Sequence, residues 1–185
     1  MNFILIFGPQ AVGKMTVGQH LAKRLAYKLF HNHVTIDFLT PHFEFGTPSF
    51  LRLLNLLRLE MLKEAAESGY PGVVATAVWN FEHATDKAEI DKWLAVGRTS
   101  GGEVCLVELE AGLEVRRARN KTENRRLHKP GNVERTEALI DEWQETKRMN
   151  TSGDFFYPEW HLKINNTHLS PEQTAEKVIR HFALG

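Results

Sequence analysis

The sequence has little cysteine, no long apolar run and no excess charge of either sign. Its single cysteine, Cys105, excludes a disulfide within the chain of 185 residues, and a chain of that length buries roughly 70% of its surface without one. No apolar stretch reaches the about 20 residues that a membrane-spanning helix needs. The 23 basic and 23 acidic residues balance, which gives no reason to expect a membrane or a nucleic acid as partner.

The sequence predicts no signal peptide. The N-terminal stretch MNFILIFG lacks the basic segment and the cleavage site of a signal peptide. Cys105 lies in the apolar run EVCLVEL, where a buried thiol is expected and a cytoplasmic location is the simplest setting. We therefore expect one globular domain covering residues 1–185, as a monomer or a homodimer.

Apolar runs typical of buried strands alternate with segments of helical periodicity. The predicted strands are Asn2–Phe7, Tyr27–His31, Gly72–Val78, Val104–Leu109 and Trp160–Ile164. The first predicted helix begins at Lys14, and the second runs from Pro48 to about Glu67 with Thr47 as its N-cap. Three more are predicted at Asp86–Val96, Leu113–Arg119 and Val133–Met149. A last helix begins at the capping box Ser170–Gln173. This alternation predicts a three-layer α/β/α fold around a five-stranded, mostly parallel sheet, with functional residues at the carboxyl ends of the strands.

The stretch FGPQAVGKMTVG carries the spacing G-x-x-x-x-G-K between the first predicted strand and the first helix. A phosphate-binding loop occurs in that context. Backbone N–H groups can line one concavity, the helix start adds partial positive charge, and the lysine supplies a charge to the outer phosphates. The predicted nucleotide-binding residues are Gly8, Pro9, Gln10, Ala11, Val12, Gly13, Lys14, Met15 and Thr16.

The loop lacks the hydroxyl that normally follows its lysine. Met15 stands at that position, and Thr16 lies about 100° further around the helix. The loop resembles that of the nucleoside monophosphate kinases, which ends G-K-G-T and uses its threonine on the α-phosphate. The resemblance implies ATP as cofactor, phosphate contacts from Gly13, Lys14 and Thr16, and Mg²⁺ held largely through water.

Residues 116–132, RRARNKTENRRLHKPGN, form a basic segment. Between positions 116 and 135 the chain has eight Lys or Arg and two Glu, which favours an anion as partner. The segment resembles the arginine-bearing lid of small P-loop kinases, including the shikimate and gluconate kinases. The resemblance implies that Arg119 and one of Arg125 and Arg126 stabilise the transferring phosphoryl group. A solvated basic surface is the alternative, and RNA binding is disfavoured because no aromatic residues are interleaved for stacking.

The stretch HLKINNTHLSPEQTAEKVI resembles the last strand, loop and helix of the same kinases. There the loop passes beside the adenine, so the resemblance implies nucleotide contacts from Asn166 and Thr167. The alternative is an ordinary turn, for which Asn-Asn-Thr is well suited.

The acceptor of such kinases binds between the ends of the second and third strands and the helices that follow. By this resemblance the acceptor candidates are His31, Asn32, His33, Arg52, Trp79 and Glu82. Asp37 is the candidate general base, with helix capping as the alternative. Arg52, Asn55 and Arg58 share the polar side of one helix, as a solvated face or as a contact for an anionic acceptor.

The sequence departs from these kinases in two ways. The Asp-x-Asp expected after the second strand of shikimate kinase is replaced by His-Asn-His, and no glycine triplet follows the third strand, which disfavours shikimate. No strand ends in an apolar run followed by Asp, the pattern of a Walker B metal ligand; the nearest acids are Glu82, Asp86, Glu108 and Glu110. His31 and His33 have no third ligand at convincing spacing, so no metal held by side chains is predicted.

These features favour a phosphotransferase that moves the γ-phosphoryl group of ATP to a small molecule. Its predicted catalytic residues are Lys14, Asp37, Arg119, Arg125 and Arg126. A nucleotide hydrolase and a non-catalytic, nucleotide-responsive binding protein are the alternatives.

Overall fold

A five-stranded parallel sheet carries the fold. The computed structural model describes residues 1–123, 133–153 and 155–185. The strands are β1 (Asn2–Phe7), β2 (Lys28–Phe30), β3 (Gly72–Ala77), β4 (Val104–Glu110) and β5 (His161–Asn165). Their order is β2-β3-β1-β4-β5, and each neighbouring pair is parallel. The predicted sheet is confirmed, and all carboxyl ends meet at one edge.

Helices connect the strands. In the described ranges they are α1 (Lys14–Leu25), α2 (His33–Leu39), α3 (Pro48–Glu67), α4 (Ala84–Thr99), α5 (Leu113–Asn120), α6 (Val133–Thr146) and α7 (Pro171–His181), with a 3₁₀ turn at Pro158–Trp160. The predicted starts of α3 and α7 are confirmed: Thr47 caps α3, and Ser170 and Gln173 form a capping box on α7. Helix α2 was not predicted, and α6 ends at Thr146 rather than Met149.

Two apolar cores lie on opposite faces of the sheet. Alternate residues of β1 face opposite sides, so Phe3 and Phe7 join one core while Ile4 and Ile6 join the other. The first core packs against α3 and α4. The second packs against α1 and α7. This arrangement confirms the predicted three-layer α/β/α fold.

Within the described ranges, every helix is too short or too polar to span a bilayer.

Candidate active site

The glycine loop between β1 and α1 has a backbone that favours glycine. Gly8 has a φ of 135° and Gly13 a φ of 107°. A Cβ on Gly8 would lie 2.3 Å from the carbonyl oxygen of Leu109 in β4, a contact that no side chain could tolerate. Ala11 between them also has a positive φ, of 57°. The glycines of the motif are therefore required by the turn and by the close approach of β4.

The start of α1 suits an anion. Gly13 occupies the N-cap position, and no side chain in the described part of the chain caps this helix. Lys14 is 9% exposed, and its Nζ donates to the carbonyl oxygens of Gly8 at 2.6 Å and Pro9 at 2.7 Å. The ammonium thus lies against the loop, at a helix start where partial positive charge favours phosphate.

Three further loop residues differ in what they offer a nucleotide. Both ends of the Gln10 amide are buried without a hydrogen-bond partner in the ranges described. Such an unsatisfied amide is costly unless a ligand or water completes it. Met15 is buried and supplies no hydroxyl, and Thr16 is partly buried beside it. Gln10 is therefore a stronger candidate for a nucleotide contact than Met15.

Arg119 in α5 joins the glycine loop to the segment after β5. Its Nη1 donates to the carbonyl of Val12 at 3.0 Å and to Oδ1 of Asn166 at 3.1 Å, and its Nη2 donates to the Asn166 carbonyl at 2.7 Å. The buried Asn166 donates to the same Val12 carbonyl at 2.9 Å. Burial lowers the pKa of Arg119, but a guanidinium stays charged at neutral pH. Arg119 and Asn166 therefore lie together beside the loop.

The other residues predicted to contact the nucleotide or to form the lid are only partly described by the structure. Thr167 accepts a hydrogen bond from the Gly112 N–H at 3.1 Å, which anchors its segment to the start of α5. Arg117 of α5 bonds Asp141 of α6 at 2.7 Å, so these two helices are joined at the base of the basic segment. The predicted lid residues Arg125 and Arg126 lie outside the described residues.

A cleft opens between the carboxyl ends of β2 and β3 and helices α2, α3 and α4. Its enclosed part is narrow, and its open space, mouth included, is about 310 Å³. The polar side chains that line it are His31, Asn32, Thr35, Arg58 and Thr76. Since β3 lies between β2 and β1 in the sheet, this cleft neighbours the glycine loop.

Arg58 organises the polar side of the cleft. Its Nε donates to Oγ1 of Thr35 at 3.0 Å and its Nη2 to the Asn32 carbonyl at 3.0 Å. The Asn32 N–H in turn donates to Oγ1 of Thr76 at 3.0 Å. The guanidinium lies 5.9 Å from the ring centroid of Trp93. Burial lowers the pKa of Arg58 to about 10, so the side chain remains a cation at neutral pH.

Two of the predicted acceptor residues, His31 and Asn32, line this cleft. His33 and the candidate base Asp37 lie one turn apart on α2, with Nδ1 and Oδ1 separated by 3.5 Å. The Asp37 side chain is 55% exposed. These two residues therefore form a surface pair on the helix that borders the cleft.

The remaining predicted acceptor residues lie elsewhere. Arg52 and Glu82 are exposed and do not line the cleft. Trp79 is fully buried, with its ring centroid 5.0 Å from that of Phe81 and 5.3 Å from that of Phe7. Aromatic neighbours cover its ring, so Trp79 belongs to a buried aromatic cluster and does not face the cleft.

The polar cleft residues that the sequence analysis missed are Thr35 and Thr76, and among the apolar residues of the lining it also missed Trp93. Thr76 is the single polar residue in the strand GVVATA, which was the available signal. Trp93 lies within α4, where an apolar residue at helical spacing is indistinguishable from an ordinary core residue.

Solved structures match this fold, although no protein-family model and no curated protein matches the sequence significantly. The shikimate kinase of Acinetobacter baumannii in complex with shikimate has a TM-score of 0.59 at 19% identity, over 99% of this chain and 93% of that one. A gluconokinase from Sinorhizobium meliloti 1021 has a TM-score of 0.61 at 15% identity, over 98% and 93%. The tunicamycin resistance protein of Deinococcus radiodurans has a TM-score of 0.57 at 21% identity, over 100% and 98%. The chain has the fold of the small P-loop kinases.

The sequence predicts Mg²⁺ held largely through water, and the acidic side chains near the loop are the ones that could bind it directly. Glu108 is fully buried, and its oxygens accept hydrogen bonds from Asn150, from both the N–H and the hydroxyl of Thr151, and from His161, at 2.8 to 2.9 Å. In the ranges described, no three His, Cys, Asp or Glu side chains cluster as a metal site. Met15 stands in place of the hydroxyl, so the described residues near the glycine loop offer no evident side-chain ligand for Mg²⁺, and a metal bound there would depend on phosphates and water.

Proposed function

We propose that the protein is a single-domain phosphotransferase, residues 1–185, that moves the γ-phosphoryl group of ATP to a small-molecule acceptor. The observation that supports this proposal is that the glycine loop and the Arg58 cleft lie next to each other at the same edge of the sheet. The glycine loop follows β1, the Arg58 cleft follows β2 and β3, and β1 pairs with β3 along its whole length. A donor and an acceptor bound there would be adjacent, which is the main requirement of phosphoryl transfer.

The residues at the glycine loop have complementary roles in this proposal. The helix start and Lys14 hold the phosphates, and the unsatisfied side-chain amide of Gln10 forms hydrogen bonds with the nucleotide. Arg119 and Asn166 fix the loop from the side of β5. The likeness to a shikimate kinase and a gluconokinase supports the reaction class, and the two departures from the shikimate kinase pattern argue against shikimate as the acceptor.

The acceptor side supplies orientation and a proton acceptor. Arg58 orients an anionic or polar group of the acceptor, and the Asp37 carboxylate takes the proton of the attacking hydroxyl. That hydroxyl oxygen forms a bond to the γ-phosphorus, while the bond to the bridging oxygen of ADP breaks. The products are ADP and a phosphate ester.

Nucleotide binding without turnover is the second candidate function. Two observations favour it: Glu108, which pairs with Phe7 at the end of β1, already accepts four hydrogen bonds, and the loop has no hydroxyl at position 15. ADP formation in the presence and absence of acceptors separates the two candidates. ADP that appears without any acceptor would instead indicate a hydrolase.

Lys14→Ala tests the nucleotide site itself. Mg·ATP at 100 times its dissociation constant should stabilise the wild-type protein by about 2.7 kcal/mol, and this stabilisation should disappear in Lys14→Ala because the phosphates lose their point charge. The measurement is thermal unfolding with and without Mg·ATP. Lys23→Ala, an exposed lysine in the last turn of the same helix, is the control that should keep the shift. An ATP shift that persists in Lys14→Ala would overturn the assignment of the loop.

A further inference from the structure

We propose that the acceptor is an amphiphile, with an apolar body and one anionic or strongly polar group next to the reacting hydroxyl, and not a polyhydroxylated sugar acid. This inference rests on the proposed function, since it assigns a substrate class to the Arg58 cleft. It follows from three observations: the lining of the cleft, the hydrogen bonds already made inside it, and the apolar surface at its mouth.

Most of the cleft lining is apolar. Six of the eleven lining residues offer hydrocarbon or aromatic surface: Phe30, Val34, Met61, Leu62, Ala75 and Trp93. A site for an acceptor with a hydroxyl on every carbon needs a polar partner for each of them, because a buried polar group without a hydrogen bond is costly.

Part of the polar lining of the cleft is already hydrogen-bonded within the protein. Arg58 uses its Nε on Thr35 and its Nη2 on the Asn32 carbonyl, while Thr76 accepts from the Asn32 N–H. The buried indole N–H of Trp93 has no hydrogen-bond partner in the described part of the protein, and the hydrogen bonds of Arg58 to Thr35 and Asn32 do not use its Nη1. Both groups only donate, so together they suit one oxygen-rich group such as a carboxylate.

Apolar surface continues outward from the mouth of the cleft. Of the eight large hydrophobic side chains that the described residues expose, six lie between positions 34 and 56: Val34, Phe38, Phe43, Phe45, Leu51 and Leu56. We call these six residues the α2–α3 patch. Exposed large hydrophobic side chains that are concentrated in one segment of a globular protein indicate a candidate binding surface.

Val34 connects the patch to the cleft. It lines the cleft and is still 45% exposed, and Phe38, 64% exposed, lies one turn further along α2 on the same face. The occupant therefore places its polar group near Arg58 and Trp93, while its apolar chain leaves past Val34 and lies along Phe38. This continuity favours a small amphiphile over a partner that would cover the patch alone.

A homologous series of hydroxy acids tests the proposal. 3-Hydroxybutyrate, 3-hydroxyoctanoate and 3-hydroxydodecanoate share one carboxylate and one hydroxyl and differ only in their alkyl chains. In titration calorimetry without nucleotide and below the aggregation concentration, affinity should rise at least tenfold from the four-carbon to the eight-carbon acid. The upper limit is about fourfold for each buried methylene, which corresponds to about 0.8 kcal/mol.

Single substitutions test where the alkyl chain of the bound hydroxy acid lies. Phe38→Ser should weaken binding of 3-hydroxydodecanoate about fivefold or more and leave 3-hydroxybutyrate unchanged, and Val34→Ser should act in the same direction. Tyr70→Ser, an exposed aromatic residue outside the patch, is the matched control and should change neither. Circular dichroism would verify that each variant is folded.

Several results would overturn the proposal. These are equal affinity along the series, tighter binding of gluconate than of 3-hydroxydodecanoate, or a chain-length dependence that survives both Val34→Ser and Phe38→Ser. A dimer in sedimentation that Phe38→Ser dissociates would assign the patch to a second copy of the chain. ATP binding is measured separately, so a chain-length dependence without ATP binding would contradict the kinase proposal alone, and ATP-dependent phosphorylation of gluconate would contradict the substrate class alone.

Discussion

The buried carboxylate of Glu108 is kept ionised by the hydrogen bonds that it accepts. Burial by itself would raise its pKa, but hydrogen bonds from His161, Asn150 and Thr151 outweigh burial and lower the pKa to about 2, from an ordinary 4.5. Because the folded-state pKa is depressed, ionised Glu108 stabilises the fold fully above about pH 4.5, and this contribution is lost as the pH falls toward 2. Its function is to tie β4 to β5 and to the segment before it.

Glu108→Gln should therefore destabilise the protein in a pH-dependent way. The difference between the two pKa values corresponds to about 3 kcal/mol at pH 7, and the amide cannot accept as many hydrogen bonds as the carboxylate. The destabilisation should shrink between pH 4.5 and pH 2, because the wild-type carboxyl group becomes protonated there. Urea unfolding at several pH values measures it.

Glu110→Gln is the control for this prediction. Glu110 lies at the end of the same strand, its side chain is 42% exposed, and its Oε2 is 3.4 Å from Nζ of Lys163. Such a solvent-exposed ion pair contributes about 0 to 1 kcal/mol. A loss of stability in Glu108→Gln that is equal at pH 7 and pH 3 would show that its charge is not what stabilises the fold.

At the scale of elements, Arg119 makes α5 a brace between the glycine loop and the end of β5. One guanidinium reaches the Val12 carbonyl and both oxygens of Asn166. The two Nη atoms of the planar guanidinium hold these acceptors in a fixed fork, a geometry that the single nitrogen of an ammonium does not provide. These hydrogen bonds tie the glycine loop to the segment after β5.

Arg119→Lys should weaken ATP binding and lower the free energy of unfolding by about 1 to 3 kcal/mol, as expected for hydrogen bonds from a charged, partly buried donor. The measurements are ATP titration and chemical unfolding. Arg117→Lys is the matched control on the same helix, since Arg117 pairs with Asp141 and Glu114 at the surface and should change stability by less than about 1 kcal/mol. Unchanged ATP affinity in Arg119→Lys would show that the brace does not position the loop.

The helix starts show which elements the sequence could predict. Thr47 and Ser170 cap α3 and α7 with their side chains, and such caps leave a local sequence signal. Helix α2 has seven residues and no side-chain cap from Asn32, and it exposes Val34 and Phe38. Its apolar residues therefore give no amphipathic pattern, and the helix could not be predicted.

Only part of the candidate site could be predicted from the sequence. The glycine loop is a local motif, so its residues could be named from their spacing. The cleft is assembled from three helices and two strands, and Trp93 reaches it from α4 at a distance of 35 positions from Arg58 along the chain. Asn150 and Thr151, which saturate Glu108, come from a segment without periodicity, so only the assembled sheet brings them there.

At the scale of the whole molecule, the sheet belongs to both cores. In β1, Phe3, Leu5 and Phe7 contribute to the core beneath α3 and α4, and Ile4 and Ile6 contribute to the core beneath α1 and α7. Loss of packing on one face would leave the other face attached to strands that are no longer held. The two layers should therefore unfold together, as expected for one domain.

Two probes on opposite faces test this cooperativity. Trp79 and Trp93 lie in the core of α3 and α4, and Cys105 lies fully buried in the core of α1 and α7. Burial raises the pKa of the Cys105 thiol to about 12, so the thiol should react with a labelling reagent only after unfolding. Tryptophan fluorescence and pulsed thiol labelling along a urea gradient should give the same midpoint, because no face can lose its packing without the shared strands. Thiol labelling at a lower urea concentration than the fluorescence change would show that the layer of α1 and α7, which adjoins the glycine loop, opens independently of the layer of α3 and α4.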